Sequence, residues 1–88
     1  MNLLEIIEVL DEQDSHSTIW ISSEYDWSAN SNVIVALEPE DGSKPNSVGK
    51  KFEYFLEVFI AKEILEEFEN KTPFEKTKRI IEYAVNDA

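Results

Sequence analysis

Apolar residues recur at helical spacing from the start of the chain: Leu3, Leu4, Ile6, Ile7 and Leu10 fall on one helix face with polar positions between them. The pattern predicts an amphipathic helix from Asn2 to about Gln13, with Asn2 at its N-cap. After the polar break Asp14-Ser-His-Ser17 the period changes. Thr18-Ile-Trp-Ile-Ser22 and Asn32-Val-Ile-Val-Ala-Leu37 are rich in β-branched and aromatic residues and read as two strands. The segment between them, Ser23 to Ser31, is too long for a two-residue hairpin and sets Tyr25 and Trp27 among acids and small polar residues. A third strand is expected over Phe52 to Phe59, with Tyr54, Leu56 and Val58 on one side and Glu53, Phe55, Glu57 and Phe59 on the other.

Two helices follow. Ala61, Ile64, Leu65 and Phe68 form the apolar stripe of the first, which starts near Ala61 and stops at Asn70-Lys-Thr72. Thr72-Pro-Phe-Glu75 then places a hydroxyl at the N-cap, a proline at the first helical position and a glutamate at the third, a capping-box pattern. The last helix runs through Phe74, Thr77, Ile80, Ile81, Ala84 and Val85. The order α-β-β-β-α-α makes the fold class α+β, a small antiparallel three-stranded sheet packed with helices. The loop-like stretch Glu40 to Gly49 is short enough to connect elements of one unit, so residues 1–88 are expected to form a single acidic domain.

Charge changes this picture more than size does. The 88 residues hold 19 Asp or Glu against 8 Lys or Arg, a formal charge of −11. Before Ser43 there are ten acids and no base; after it come nine acids and all eight bases. With 42% hydrophobic and 11% aromatic residues the chain is too apolar for a disordered acidic tail, and a domain of this length buries roughly 60–65% of its unfolded surface. Cysteine is absent, which excludes disulfide frameworks, thiolate metal sites and thiol catalysis. No basic leader region, membrane-length apolar run or lipidation motif occurs, so a soluble, cytoplasmic protein is expected, with no membrane partner.

The acids are grouped. Glu5, Glu8 and Glu12 share a strip of the first helix, with Asp11 beside them and no Lys or Arg on that helix. Each like-charge pair at this spacing costs roughly 0.2–0.5 kcal/mol. Such a strip is either a surface that meets a cationic partner or an ordinary solvated face. Glu38, Glu40 and Asp41 after the second strand, and Glu63, Glu66, Glu67 and Glu69 on the second helix, add two more groups of net uncompensated acid. Together they favour a binding surface. The last helix serves as a contrast, because Glu75 can meet Arg79 and Lys78 can meet Glu82 at i, i+4 spacing.

In Glu24-Tyr-Asp-Trp-Ser28, Tyr25, Asp26 and Trp27 are candidate partner contacts, since a rigid aromatic in a polar loop can anchor an interface. The competing reading is a ring folded back over a thin core, and for Trp20, inside an apolar strand, the core reading leads. Aromatics interleaved with acids repel phosphate, which argues against direct nucleic-acid binding. Catalysis is not expected: His16 is the sole histidine, in a polar loop with no nucleophile motif, and neither Gly42 nor Gly49 belongs to a phosphate loop. Glu38-Pro-Glu-Asp-Gly42 lacks the alternating ligands of a calcium loop. No metal site and no cofactor are expected.

Leu56-Glu-Val-Phe-Ile60, Ile64-Leu-Glu-Glu-Phe-Glu-Asn70 and Ile81-Glu-Tyr-Ala-Val-Asn-Asp-Ala88, with Ile19-Trp-Ile21, Tyr25-Asp-Trp27 and Val33-Ile-Val35 before them, resemble a family of small acidic bacterial proteins of unassigned activity. The resemblance covers most of the chain, and the central segment is shorter here. Such proteins are similar in size and charge to immunity proteins encoded beside secreted toxins, including contact-dependent inhibition systems. The resemblance implies a toxin-neutralising role without catalysis. The leading expectation is thus an acidic inhibitor that binds a basic protein partner, a toxin or nuclease domain. The alternatives are a phage-type nucleic-acid mimic that blocks a restriction or CRISPR enzyme, and a structural adaptor module.

Overall fold

The computed structural model describes residues 1–37, 45 and 48–87. Helix α1 (Leu3–Glu8) is followed by a 3-10 turn (Leu10–Glu12), strands β1 (Ser17–Ser22), β2 (Val33–Leu37) and β3 (Phe52–Glu57), and helices α2 (Val58–Glu66) and α3 (Pro73–Asp87). The expected α+β class and element order are those observed. The sheet has the order β2-β1-β3, with β1 antiparallel to both neighbours.

The first helix differs from its expected length. Asn2 caps it as the sequence suggests, accepting from the Glu5 N–H, while the Glu5 carboxylate accepts in return from the Asn2 N–H. The α-helix then ends at Glu8, and Val9 leaves helical geometry at φ −116°, ψ 24°. The Val9 N–H turns to the Ile6 carbonyl at 3.2 Å, and the remaining turn to Glu12 is 3-10. Glu8, Asp11 and Glu12 supply negative charge and no base where the helix dipole is negative, which disfavours further α-helical turns. Leu10 still reaches the core.

The third strand also departs from expectation. Ile19 pairs with Leu56 and Trp20 pairs with Tyr54, so Phe55 is an extra residue, a β-bulge. Strict alternation fails there, and Phe55 and Leu56 are both buried in the helix-side core. The strand ends at Glu57 and α2 begins directly at Val58, three residues before the expected start at Ala61. Val58, Ala61 and Leu65 then present a helical stripe to the core that an extended segment would have split between two faces.

Helices cover one face of the sheet. Ile19, Ile21, Val33, Phe55 and Leu56 meet Leu3, Ile6, Ile7 and Leu10, Val58, Ala61 and Leu65, and Ile80 and Ala84 in one cluster. The opposite face carries Thr18, Trp20, Ile34 and Tyr54 by register. Trp20 is buried there and meets Tyr54 edge-on at 6.0 Å. Val48, from the connection between β2 and β3, is buried outside the helix-side cluster.

In α3 the apolar stripe is wider than the core. At 3.6 residues per turn its six positions span roughly 140° of arc. Thr77, Ile80 and Ala84 are buried, Ile81 is half-buried, and Phe74 and Val85 are exposed at 63% and 62%, contrary to a stripe facing wholly inward. The expected N-cap is present: the Glu75 N–H donates to the Thr72 hydroxyl at 3.2 Å. The i, i+4 ion pairs expected on this helix do not form. Arg79 instead lies 5.9 Å from the centre of the Phe68 ring, at the end of α2, and among the described residues the ion pair is Lys51–Glu24 at 3.0 Å.

No helix among the described residues is long and apolar enough to cross a membrane.

Candidate functional site

Two surfaces gather the residues singled out in the sequence. The first is a groove of about 150 Å³ between the end of α1, its 3-10 turn, α2 and the start of α3. Glu8 and Asp11 face it from one side and Glu66 and Glu69 from the other, over a floor that includes Ile7, Leu10 and Leu65. Lys62 and Lys76 also border it, so the carboxylates outnumber the ammonium groups two to one. Lys62 is committed elsewhere: its Nζ donates to the Gln13 carbonyl at 2.8 Å and to the Ser15 hydroxyl at 2.9 Å. These bonds fasten α2 to the segment before β1 and thereby set the width of the groove. None of the four carboxylates has a basic group within 4 Å among the described residues.

Not every expected acid joins this groove. Glu5 is engaged in the α1 cap, and Glu12 is exposed and is not part of the lining of this groove. Glu63 and Glu67 lie on another flank of α2, where Arg79, Tyr83, Ile60 and Ile64 border a separate depression. Glu38, Glu40 and Asp41 fall outside the described residues. Glu69, expected on the second helix, sits in the turns after α2, and Lys62 was not among the candidates, because its role depends on a backbone carbonyl 49 positions away. The one cation on an otherwise acidic helix was the available signal for Lys62. Among the described residues no group of three His, Cys, Asp or Glu side chains is arranged to hold a metal ion.

The second surface surrounds Trp27. Its ring meets Phe55 edge-on at 5.1 Å and packs against the core, so the core reading holds for one side of the indole. The other side borders two open grooves. One, of about 650 Å³, includes Tyr25, Asp26, Glu53, Ile81 and Val85; the other, of about 430 Å³, includes Ala29, Phe74, Thr77 and Ile81. The loop is held in place rather than simply long. The Leu3 and Leu4 N–H groups donate to the Ser31 and Ala29 carbonyls, Val33 N–H donates to the Met1 carbonyl, and Ser28 N–H donates to the Ser31 hydroxyl at 2.9 Å. Free donors of the first turn of α1 are thereby satisfied by the same loop that presents Trp27. At its start the Ser23 N–H and hydroxyl both donate to the Lys51 carbonyl at 2.8 Å. His16 is exposed, in a turn closed by its own N–H donating to the Asp14 carboxylate.

Comparison with family models, curated proteins and solved structures returns no match.

Proposed function

We propose that this chain is an inhibitor that binds a basic protein, in the manner of an immunity protein neutralising a nuclease-type bacterial toxin. The observation that carries the reading is the convergence of Glu8, Asp11, Glu66 and Glu69 on one groove from two distant stretches of the chain, without a basic group within 4 Å of any of them among the described residues. Holding like charges together costs folding energy, and a cationic partner returns it on binding. A nuclease that binds phosphate must carry a cationic surface, and a protein of charge −11 approaches such a surface faster than a neutral one. The spread of the carboxylates along a groove suits several basic side chains better than one ion. The resemblance to small acidic bacterial proteins points the same way, and no step of this reading requires catalysis.

The test is growth rescue. Cells expressing the toxin domain encoded beside this chain are expected to survive with the wild-type protein and to die with Glu8→Gln, Asp11→Asn, Glu66→Gln and Glu69→Gln combined. Surface plasmon resonance should show association slowed by about tenfold or more at low salt, with dissociation less affected. Full rescue by the quadruple variant overturns the acidic groove as the interface. Inhibition of unrelated DNA-binding enzymes in place of one cognate toxin would mark the chain as a nucleic-acid mimic.

A further inference from the structure

The groove between Trp27 and α3 combines two properties that neither the charge count nor the core explains. Its walls are apolar and exposed: Tyr25 is 80% and Val85 62% accessible, and Ile81 lies half-buried between Trp27 and the end of the helix. Its polar groups include two carboxylates, Asp26 from the loop and Glu53 from β3, and no Lys, Arg or His lines it among the described residues. Neither acid is ion-paired among the described residues, whereas neighbouring Glu24 is held by Lys51. Aromatic faces and carboxylates attract the same kind of group, a cation on an apolar stem.

We propose that this groove receives an arginine or lysine side chain from an extended basic segment of a partner protein, as a second contact besides the acidic groove. This rests on the reading of the chain as a binder of basic proteins and names the chemistry its aromatic face recognises. The cation lies over the Trp27 or Tyr25 ring with Asp26 and Glu53 about it, and its methylene stem covers Ile81 and Val85. The apolar neighbour of that side chain enters the second groove, against Phe74 and Ala29. Trp27 is suited to this because its ring is already fixed by Phe55 and the loop by its bonds to α1 and to Lys51, just before β3, so little freedom is lost on binding. A second copy of the chain is disfavoured as occupant by its own −11 charge. An anionic lipid surface meets no basic residue among the described residues of the lining.

The experiment is an amide and indole NMR titration with the peptide acetyl-Gly-Arg-Gly-Arg-Gly-amide and its neutral counterpart carrying citrulline at both arginines. The two indole signals are assigned with Trp20→Phe. With the arginine peptide, the Trp27 indole and the amides of Asp26, Glu53, Ile81 and Val85 should shift and saturate, and the citrulline peptide should leave them in place. Combining Asp26→Asn with Glu53→Gln, both exposed, should preserve the fold and weaken the effect by about fivefold or more. Equal shifts with citrulline overturn the proposal, since the groove then recognises only apolar surface. Shifts confined to the amides of Glu8, Asp11, Glu66 and Glu69 also overturn it while leaving the acidic groove standing as a cation-binding surface. Concentration-dependent shifts of the Trp27 groove without peptide overturn it in favour of a second copy.

Discussion

Trp20 and Lys62 show how single side chains carry this small domain. The Trp20 indole is buried on the sheet face away from the helices, and its Nε1–H has no hydrogen-bond partner among the described residues. An unpartnered buried donor costs about 1–3 kcal/mol, comparable to what the extra ring area contributes. Trp20→Phe is therefore expected to leave the unfolding free energy within about 1 kcal/mol of wild type, whereas Trp20→Ala should lose about 3–5 kcal/mol by opening a cavity. Urea denaturation of both variants checks this, and a severe loss in Trp20→Phe would show that the indole N–H is satisfied in solution. Lys62 acts through its ammonium group, joining α2 to Gln13 and Ser15. Lys62→Met keeps the stem and removes both bonds, with an expected cost of about 1–2 kcal/mol in the same measurement. A stability unchanged from wild type would mean that these bonds are replaced by water at no loss.

Element boundaries follow from caps where caps are local and from packing where they are not. Asn2 and Glu5 satisfy each other's backbone N–H groups, so Asn2→Ala should cost about 1 kcal/mol or more, read as a lower melting temperature. Glu5 thus differs from its neighbours on the strip. Glu8→Gln, Asp11→Asn and Glu12→Gln together should stabilise the first helix by a few tenths of a kcal/mol each, and adding Glu5→Ala should reverse the gain. The two strongest local signals, Asn2 and Thr72-Pro73, were legible in the sequence because capping is decided within four residues. The β3–α2 junction was not. Val58-Phe-Ile60 has β-branched and aromatic residues that favour a strand, and only the burial of Val58, Ala61 and Leu65 together against the sheet turns the segment helical. The bulge at Phe55 is likewise set by pairing with Ile19 and Trp20, more than thirty residues earlier. In α3 the periodicity marked a six-residue stripe without Tyr83, which also packs against the core, and not which half of that arc the core takes; the other half lines the grooves around Trp27.

Charge is the property of the whole molecule that the sequence states most plainly, yet its arrangement is tertiary. Counting acids by element identified Glu8, Asp11, Glu66 and Glu69, but the packing of the 3-10 turn against α2 decides that these border one groove while Glu63 and Glu67 border another with Arg79. Asp26 and Glu53 come together across the sheet and loop in the same way. With a Debye length of about 10 Å at 0.1 M salt and molecular extents of 36 × 26 × 24 Å, repulsion at moderate salt is local to such clusters, and only at low salt does the full −11 act across the molecule. Raising sodium chloride from about 10 mM to about 300 mM should therefore increase the melting temperature of the wild-type protein, because screening relieves repulsion that exists chiefly in the compact state. The combined Glu8→Gln, Asp11→Asn, Glu66→Gln and Glu69→Gln variant should start from a higher melting temperature at low salt and gain less from added salt. Scanning calorimetry of the two proteins across the salt series decides it. Parallel curves for wild type and variant would mean that the acidic groove adds no repulsion of its own, and with that the stored electrostatic energy assigned to it as a docking surface would be absent.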